Sequence, residues 1–228
     1  MGFANVSQMN KYDRNKKHAV TIPSGKDSLD GLLFIPEAAK SIVLFVHGSG
    51  SSRLSIRNQF VAGALNEMGH ATLLFDLLTP KEEAIDSFTR ELRFNISLLA
   101  SRLIDVKHWC QDTLDPMTAG IGYFGASTGA GAALEAAARE PDQVKAIVSR
   151  GGRPDLALAY LPRVKAPTLL IVGSYDIAVI KFNREARSKM TCHTQLDIVP
   201  GASHLFEESG KLEEVSRLAN AWFNNYLM

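Results

Sequence analysis

Three residue types that could perform nucleophilic catalysis occur in order along this sequence: a serine, an aspartate and a histidine. Ser127 lies at the centre of a G-x-S-x-G pattern over residues 125–129. Small residues permit a tight turn between a strand and a helix, and such a turn exposes the serine hydroxyl. The apolar run at residues 119–124 has strand length, and the alanine-rich run at 130–139 favours a helix. The pattern therefore predicts a nucleophilic serine at a strand-to-helix turn.

A serine hydroxyl needs a base to accept its proton, and that base is commonly a histidine oriented by a carboxylate. Asp176 follows a predicted strand at residues 168–172, and His204 follows the next one at 195–199. Functional groups in a parallel sheet gather at the carboxyl ends of its strands. We therefore predict that His204 acts as the base and Asp176 orients it. Asp155, which follows the preceding strand, stays open as the alternative acid.

Strand and helix patterns alternate along the whole chain. Antiparallel strands are predicted at residues 17–23 and 29–36, and buried strands at 42–46, 71–75, 119–124, 144–149, 168–172 and 195–199. Helices are predicted at 58–68, 85–109, 130–139, around 156–160, at 182–189, and at 211–226 with Ser209 as N-cap. This alternation predicts an α/β fold, a mostly parallel sheet with helices on both faces, in one domain over residues 1–228. The segment between the strands at 144 and 168 is too short for a lid domain, which predicts an open site.

Composition and net charge give no sign of several classes of partner. The chain has 228 residues, of which 46% are hydrophobic and 21% charged, and its formal net charge is +1. This charge gives no reason to expect nucleic acid or an anionic membrane, and no apolar run reaches membrane-spanning length. The N-terminus lacks the pattern of a signal peptide, and two cysteines are ordinary in a reducing compartment. We expect a cytoplasmic protein.

The order Ser127, Asp176, His204, each at the end of a predicted strand, resembles the α/β-hydrolase superfamily. The resemblance extends from about residue 42 to the last helix, and the short layout without a lid is similar to the dienelactone hydrolase group. Founding members of that group carry a cysteine where this chain has Ser127, and no arginine follows His204 closely. The resemblance therefore implies a serine hydrolase acting on a small ester, thioester or lactone, with dienelactone itself a doubtful substrate.

The same resemblance implies an oxyanion hole, which stabilises the charge that develops on the substrate carbonyl. One donor would be the backbone N–H of Thr128, directly after the nucleophile. By match to the His-Gly-x loop at residues 47–52, the other would be the amide of Ser49. His47 is expected to support that loop rather than to transfer protons. Chemistry of this kind requires no metal ion or organic cofactor.

Arg150 and Arg153 follow a predicted strand and are expected near the mouth of the site. They could bind a carboxylate or phosphate group of an anionic substrate, or form part of a solvent-exposed loop. Two other functions remain open: a non-catalytic module that binds a small anionic ligand through these arginines, and an amidase or peptidase with the same triad. A G-x-G-x-x-G match at residues 120–125 lies within a predicted strand, which argues against a dinucleotide site.

Overall fold

The computed structural model describes residues 12–114 and 120–228. Its strands form one sheet in the order β1-β2-β4-β3-β5-β6-β7-β8. β1 pairs antiparallel with β2, and β2 with β4, whereas the other neighbours are parallel. The strands are β1 (Lys17–Ser24), β2 (Asp27–Phe34), β3 (Ser41–Val46), β4 (Ala71–Phe75), β5 (Gly120–Ala126), β6 (Ala146–Arg150), β7 (Thr168–Gly173) and β8 (Thr194–Val199). The predicted mostly parallel α/β sheet is confirmed.

Helices cover both faces of this sheet. Within the described residues they are α1 (Ile56–Glu67), α2 (Pro80–Thr89), α3 (Ile96–Thr113), α4 (Thr128–Arg139), α5 (Ile177–Lys189) and α6 (Lys211–Leu227). The apolar faces of α3 and α4 pack on one side of the sheet, and those of α1 and α6 on the other. The central strand β5 is buried along its whole length, with Tyr123 facing one layer and Phe124 the other. Burial on both faces explains why this strand is continuously apolar.

The single helix predicted at residues 85–109 is wrong, because the chain forms two helices there. α2 begins at Pro80, where the Thr79 hydroxyl and the Glu82 carboxylate form a capping box. It ends at Arg90, which adopts a left-handed conformation with φ of 59°. The Asn95 side chain then accepts a hydrogen bond from an amide in the first turn of α3. Local capping therefore divides a segment whose apolar spacing is continuous.

Three other predictions need correction, and two fall outside the described residues. α6 is preceded by Gly210 with φ of 76° and has no side-chain cap, so the Ser209 cap is wrong. The helix expected around 156–160 is replaced by 3₁₀ turns at Pro154–Ala157 and Leu161–Arg163, and α5 starts at Ile177, earlier than predicted. The start of the strand predicted at 119 and the N-terminal residues tested for a signal lie outside the described residues.

The short 3₁₀ turns are also the only helical elements between β6 and β7 in this described part of the chain. No lid domain is inserted between these two strands, as expected. None of the helices in residues 12–114 and 120–228 combines the length and apolarity needed to cross a bilayer.

Candidate active site

Ser127 is the single residue between the last residue of β5 and the first residue of α4. Its backbone has φ of 50° and ψ of −121°, a strained combination for a residue with a side chain. The flanking glycines have no room for a side chain, because a Cβ at either position would collide with neighbouring backbone. A Cβ on Gly125 would lie 2.5 Å from the Cα of Ala130, and one on Gly129 would lie 2.1 Å from the Val46 carbonyl oxygen. The predicted turn is thus built by β5, α4 and the end of β3 together.

The last residue of β6 and the loop that follows it hold the backbone of Ser127 on both sides. The Ser127 N–H donates to the Arg150 carbonyl at 3.2 Å, and the Ser127 carbonyl accepts from the Arg153 N–H at 2.9 Å. This loop is supported in turn by α5, where the Asn183 side chain donates to the Gly152 carbonyl at 2.9 Å. These hydrogen bonds hold the strained conformation of the elbow, as such conformations require.

Asp176 and His204 are hydrogen-bonded to each other. His204 Nδ1 lies 2.5 Å from Asp176 Oδ2, and the two side chains are 39% and 15% exposed, respectively. With the carboxylate accepting from Nδ1–H, the Nε2 atom of the neutral ring keeps a lone pair that can accept a proton. No described residue forms a hydrogen bond with that Nε2 atom. The carboxylate of Asp176 thus orients the imidazole of His204.

The imidazole of His204 lies over the strand end next to Ser127. A Cβ built on Gly151 would be 3.5 Å from both Cε1 and Nδ1 of this ring. Gly151 directly follows Arg150, whose carbonyl binds the Ser127 amide. The alternative acid Asp155 is instead bound by both Nε and Nη2 of Arg153, at 2.8 and 2.7 Å. Of the two candidate acids, the structure brings Asp176 to the histidine.

The loop after β3 packs against the nucleophile and is supported by His47. The Leu77 N–H donates to His47 Nε2 at 3.0 Å, so Nδ1 carries the proton and donates to the Gly48 carbonyl at 2.9 Å. Burial lowers the pKa of His47 and keeps the ring neutral. A Cβ on Gly48 would lie 3.0 Å from the Cβ of Ser127. His47 thus supports this loop, as expected from the sequence.

One contact of this loop was not expected from the sequence. The Ser49 N–H, the predicted second oxyanion donor, donates to the hydroxyl oxygen of Thr128 at 2.9 Å. Thr128 is almost fully buried, at 2% exposure. The only sequence signal for this contact is a hydroxyl-bearing residue directly after the nucleophile.

The two predicted substrate-binding arginines have different environments. The guanidinium of Arg153 is paired with Asp155, as described above, and lies 4.7 Å from the centre of the Phe182 ring. Arg150 is buried, with 7% exposure, and its Nε and Nη1 atoms have no hydrogen-bond partner among the described residues. Burial and the charge of Arg57 lower the pKa of Arg150 to about 10. Arg150 is therefore a buried cation that pairs with no carboxylate in the described part of the chain.

Several other arginines are paired with carboxylates. Arg53 binds Asp76, and Arg93 binds Asp86. Arg57, at the start of α1, donates to Glu207 at 2.6 Å. From the sequence, Arg57 could either add to the same positive field as Arg150 or belong to the start of a helix. In the structure it lies in the first turn of α1, and its charge acts on Arg150.

The described residues contain no group of three or more histidine, cysteine or acidic side chains able to hold a metal ion. Cys110 and Cys192 are free thiols, and burial raises the pKa of Cys110. A thiol protonated in this way is a poor nucleophile.

Comparison with known proteins supplies the family and the fold. The sequence model of the Dienelactone hydrolase family matches residues 29–226. A crystal structure of a dienelactone hydrolase from Anabaena variabilis ATCC 29413 is 55% identical, with a TM-score of 0.90 over 93% of this chain and 99% of that one. Est1E from Butyrivibrio proteoclasticus is 18% identical, with a TM-score of 0.76 over 91% and 98% of the two chains, and shows the fold alone.

Curated relatives are longer than this chain. A Mycobacterium tuberculosis (strain H37Rv) protein, provisionally named as a phosphoribosyl transferase, is 54% identical over 208 residues. The match covers 91% of this chain and 46% of that protein. The chain thus spans about half the length of the curated relatives it matches.

Proposed function

This chain belongs to the dienelactone hydrolase family and is a hydrolase with the α/β-hydrolase fold, and from that premise we propose that it is a serine hydrolase. The proposed reaction is cleavage of a small ester, thioester or lactone through an acyl-enzyme. The observation that carries the proposal is the 2.5 Å hydrogen bond between Asp176 and His204 beside the strained turn at Ser127. In this proposal Ser127 is the nucleophile, His204 is the base and Asp176 orients the base.

In the proposed mechanism, His204 Nε2 takes the proton of Ser127 as the hydroxyl oxygen attacks the substrate carbonyl carbon. The Thr128 amide and the Ser49 amide stabilise the negative oxygen of the tetrahedral intermediate. His204 then protonates the leaving group. Water, activated by the same imidazole, releases the acyl group from Ser127. Asp176 holds the Nδ1–H tautomer and stabilises the imidazolium that forms in each half of the reaction.

We propose short, soluble substrates because no lid domain lies between β6 and β7 to enclose a long chain. An anionic group on the substrate is supported by Arg150, a buried cation whose Nε and Nη1 atoms have no hydrogen-bond partner in residues 12–114 and 120–228. Transfer of a charged group from water into the protein interior costs free energy when no group of opposite charge compensates it. A carboxylate or phosphate in the site would offset it through the electrostatic field. Arg153 has its own partner in Asp155 and would contribute less.

The proposed partner is a small molecule, rather than nucleic acid or a membrane, and the proposed compartment is the cytoplasm. A formal net charge of +1 and two free thiols support these assignments. The transferase name of the mycobacterial relatives applies to proteins of which this chain spans 46%, and we do not extend it to this chain.

Turnover of short p-nitrophenyl esters tests the proposal. The wild-type protein should hydrolyse them, and Ser127→Ala should lose at least about 10³-fold in kcat. Ser188→Ala, which removes an exposed hydroxyl near the end of α5, is the matched control and should behave as the wild type. An unchanged rate in Ser127→Ala would exclude the mechanism. Faster turnover of p-nitroanilides than of esters would favour the amidase alternative, and no turnover of either would favour the binding module.

A further inference from the structure

We propose that the side-chain hydroxyl of Thr128 donates a hydrogen bond to the oxyanion, and that the Ser49 amide acts through this hydroxyl. The inference rests on the proposed hydrolase function and deepens it. It adds a catalytic side chain to a site whose oxyanion donors were expected to be two backbone amides. The threonine hydroxyl directly after the nucleophile is then needed for the full catalytic rate.

The proton of the Ser49 amide is already used within the protein. A backbone amide has a single proton to donate. In the structure that proton is directed to Thr128 Oγ1 at a nitrogen-to-oxygen distance of 2.9 Å. The oxyanion could therefore receive a full hydrogen bond from Ser49 only if this internal bond were weakened or broken. A preorganised site avoids such rearrangement at the moment of reaction.

The hydroxyl proton of Thr128 has no acceptor among the described residues. A hydroxyl has one proton and two lone pairs, and the Ser49 amide uses one of the lone pairs. Among residues 12–114 and 120–228, no acceptor forms a hydrogen bond with the Thr128 hydroxyl proton. Accepting one hydrogen bond polarises a hydroxyl and strengthens its donation in another. The proton is thus available and its donor strength is increased.

The Thr128 hydroxyl is close in sequence to the nucleophile and in contact with the oxyanion loop. Thr128 directly follows Ser127 and opens α4, so its hydroxyl lies at the positive end of that helix. It contacts the loop whose Gly48 would bring a Cβ to within 3.0 Å of the Ser127 Cβ. At 2% exposure the side chain is shielded from water, which strengthens electrostatic interactions around it. The hydroxyl therefore contacts the oxyanion loop and belongs to the residue next to the nucleophile.

Two substitutions at this position separate the hydroxyl from the shape of the side chain. Thr128→Val keeps the branched shape and removes the hydroxyl, and we expect kcat on p-nitrophenyl esters to fall by about 10²–10³-fold with little change in KM. Thr128→Ser restores the hydroxyl and should recover most of that loss. Thr168→Val is the matched control, because Thr168 is a fully buried threonine at the start of β7 whose hydroxyl bonds the Ala166 carbonyl. It should lower Tm without lowering kcat.

A covalent probe keeps this test separate from the test of substrate class. The phosphoryl oxygen of a fluorophosphonate would occupy the same hole, so labelling of Thr128→Val should be slower by a similar factor even if no ester is turned over. Labelling and kcat within about threefold of wild type would overturn the inference while leaving the hydrolase proposal intact. A faster Thr128→Val enzyme would also overturn it, because the hydroxyl would then be blocking the Ser49 amide. A wild-type protein that is neither labelled nor active would overturn both proposals.

Discussion

His204 Nδ1 and Asp176 Oδ2 lie 2.5 Å apart, although they belong to loops that follow two different strands. The two loops are also joined by backbone contacts. The Tyr175 N–H donates to the Ala202 carbonyl at 3.0 Å, and the Gly201 N–H donates to the Ser174 hydroxyl at 2.8 Å. The hydrogen bonds between the two loops therefore help the Asp176 carboxylate to orient the imidazole of His204.

Replacement of the orienting carboxylate should reduce catalysis strongly. Asp176→Asn keeps the size of the side chain but removes the charge that stabilises the imidazolium, and we expect kcat to fall by about 10²–10⁴-fold. Steady-state hydrolysis of a p-nitrophenyl ester measures the effect. Asp155→Asn is the control and should lose less than about tenfold, because Asp155 binds Arg153 and not His204. A greater loss of kcat in Asp155→Asn than in Asp176→Asn would show that Asp155, rather than Asp176, is the acid of the triad.

The glycine after the elbow is predicted to be essential for stability. Gly129→Ala would bring a Cβ to within 2.1 Å of the Val46 carbonyl oxygen, a contact that only a shift of backbone can relieve. We expect the free energy of unfolding to fall by at least about 3 kcal/mol. Gly63→Ala is the matched control on the exposed face of α1, where nothing lies within 4 Å of the added carbon. It should raise the free energy of unfolding by about 0.5–1 kcal/mol. Urea titration measures both, and equal effects of the two substitutions would contradict the packing described at the elbow.

The buried charge of Arg150 should be visible in substrate preference. Arg150→Met removes that charge, and we expect kcat/KM for an ester with a free carboxylate to fall by about tenfold relative to a neutral ester of similar size. Arg153→Met should change this ratio less, because its charge is already balanced by Asp155. The comparison is made at low salt and repeated at high salt, where the difference should shrink. The same ratio in wild type and Arg150→Met would remove the support for an anionic substrate.

Acid should destabilise the fold through His47. Burial lowers the pKa of His47 below its ordinary value of 6.5, so the unfolded chain binds this proton more readily than the folded chain does. The associated stability is complete above pH 6.5 and is lost as the pH falls below it. Urea titrations at about pH 8 and about pH 5 measure the change. His47→Gln should show a smaller loss between them, and a loss equal to that of the wild type would contradict this assignment. Burial also lowers the pKa of His70, which stays in both proteins and leaves a residual acid effect.

The fold and much of the candidate site follow from local sequence signals. Small residues around Ser127 predict the turn because a Cβ on either flanking glycine would collide with neighbouring backbone. Loops after consecutive strands predict where Asp176 and His204 lie, because parallel strands bring their carboxyl ends to one edge. The family resemblance is confirmed by a match over residues 29–226. These features depend on short segments and on a topology with few alternatives.

The features that sequence reasoning missed depend on conformation or on distant contacts. Arg90 ends α2 in a left-handed conformation that arginine rarely adopts, so apolar spacing alone did not reveal the break. The Ser49–Thr128 contact joins residues that are 79 positions apart. That Arg150 Nε and Nη1 find no partner among the described residues is a property of the folded chain, which residue type does not reveal. In each case three-dimensional packing, rather than residue type or spacing, determines the outcome.

Mass spectrometry of the protein after reaction with a fluorophosphonate tests the central claim most directly. We predict one covalent adduct in the folded wild-type protein, on the peptide that contains Ser127. Replacement of His204 by alanine should slow its formation at least about 10²-fold, because no base is then present to take the serine proton. A folded wild-type protein that stays unlabelled while a known serine hydrolase reacts in the same tube, or that is labelled at another residue, would contradict the account.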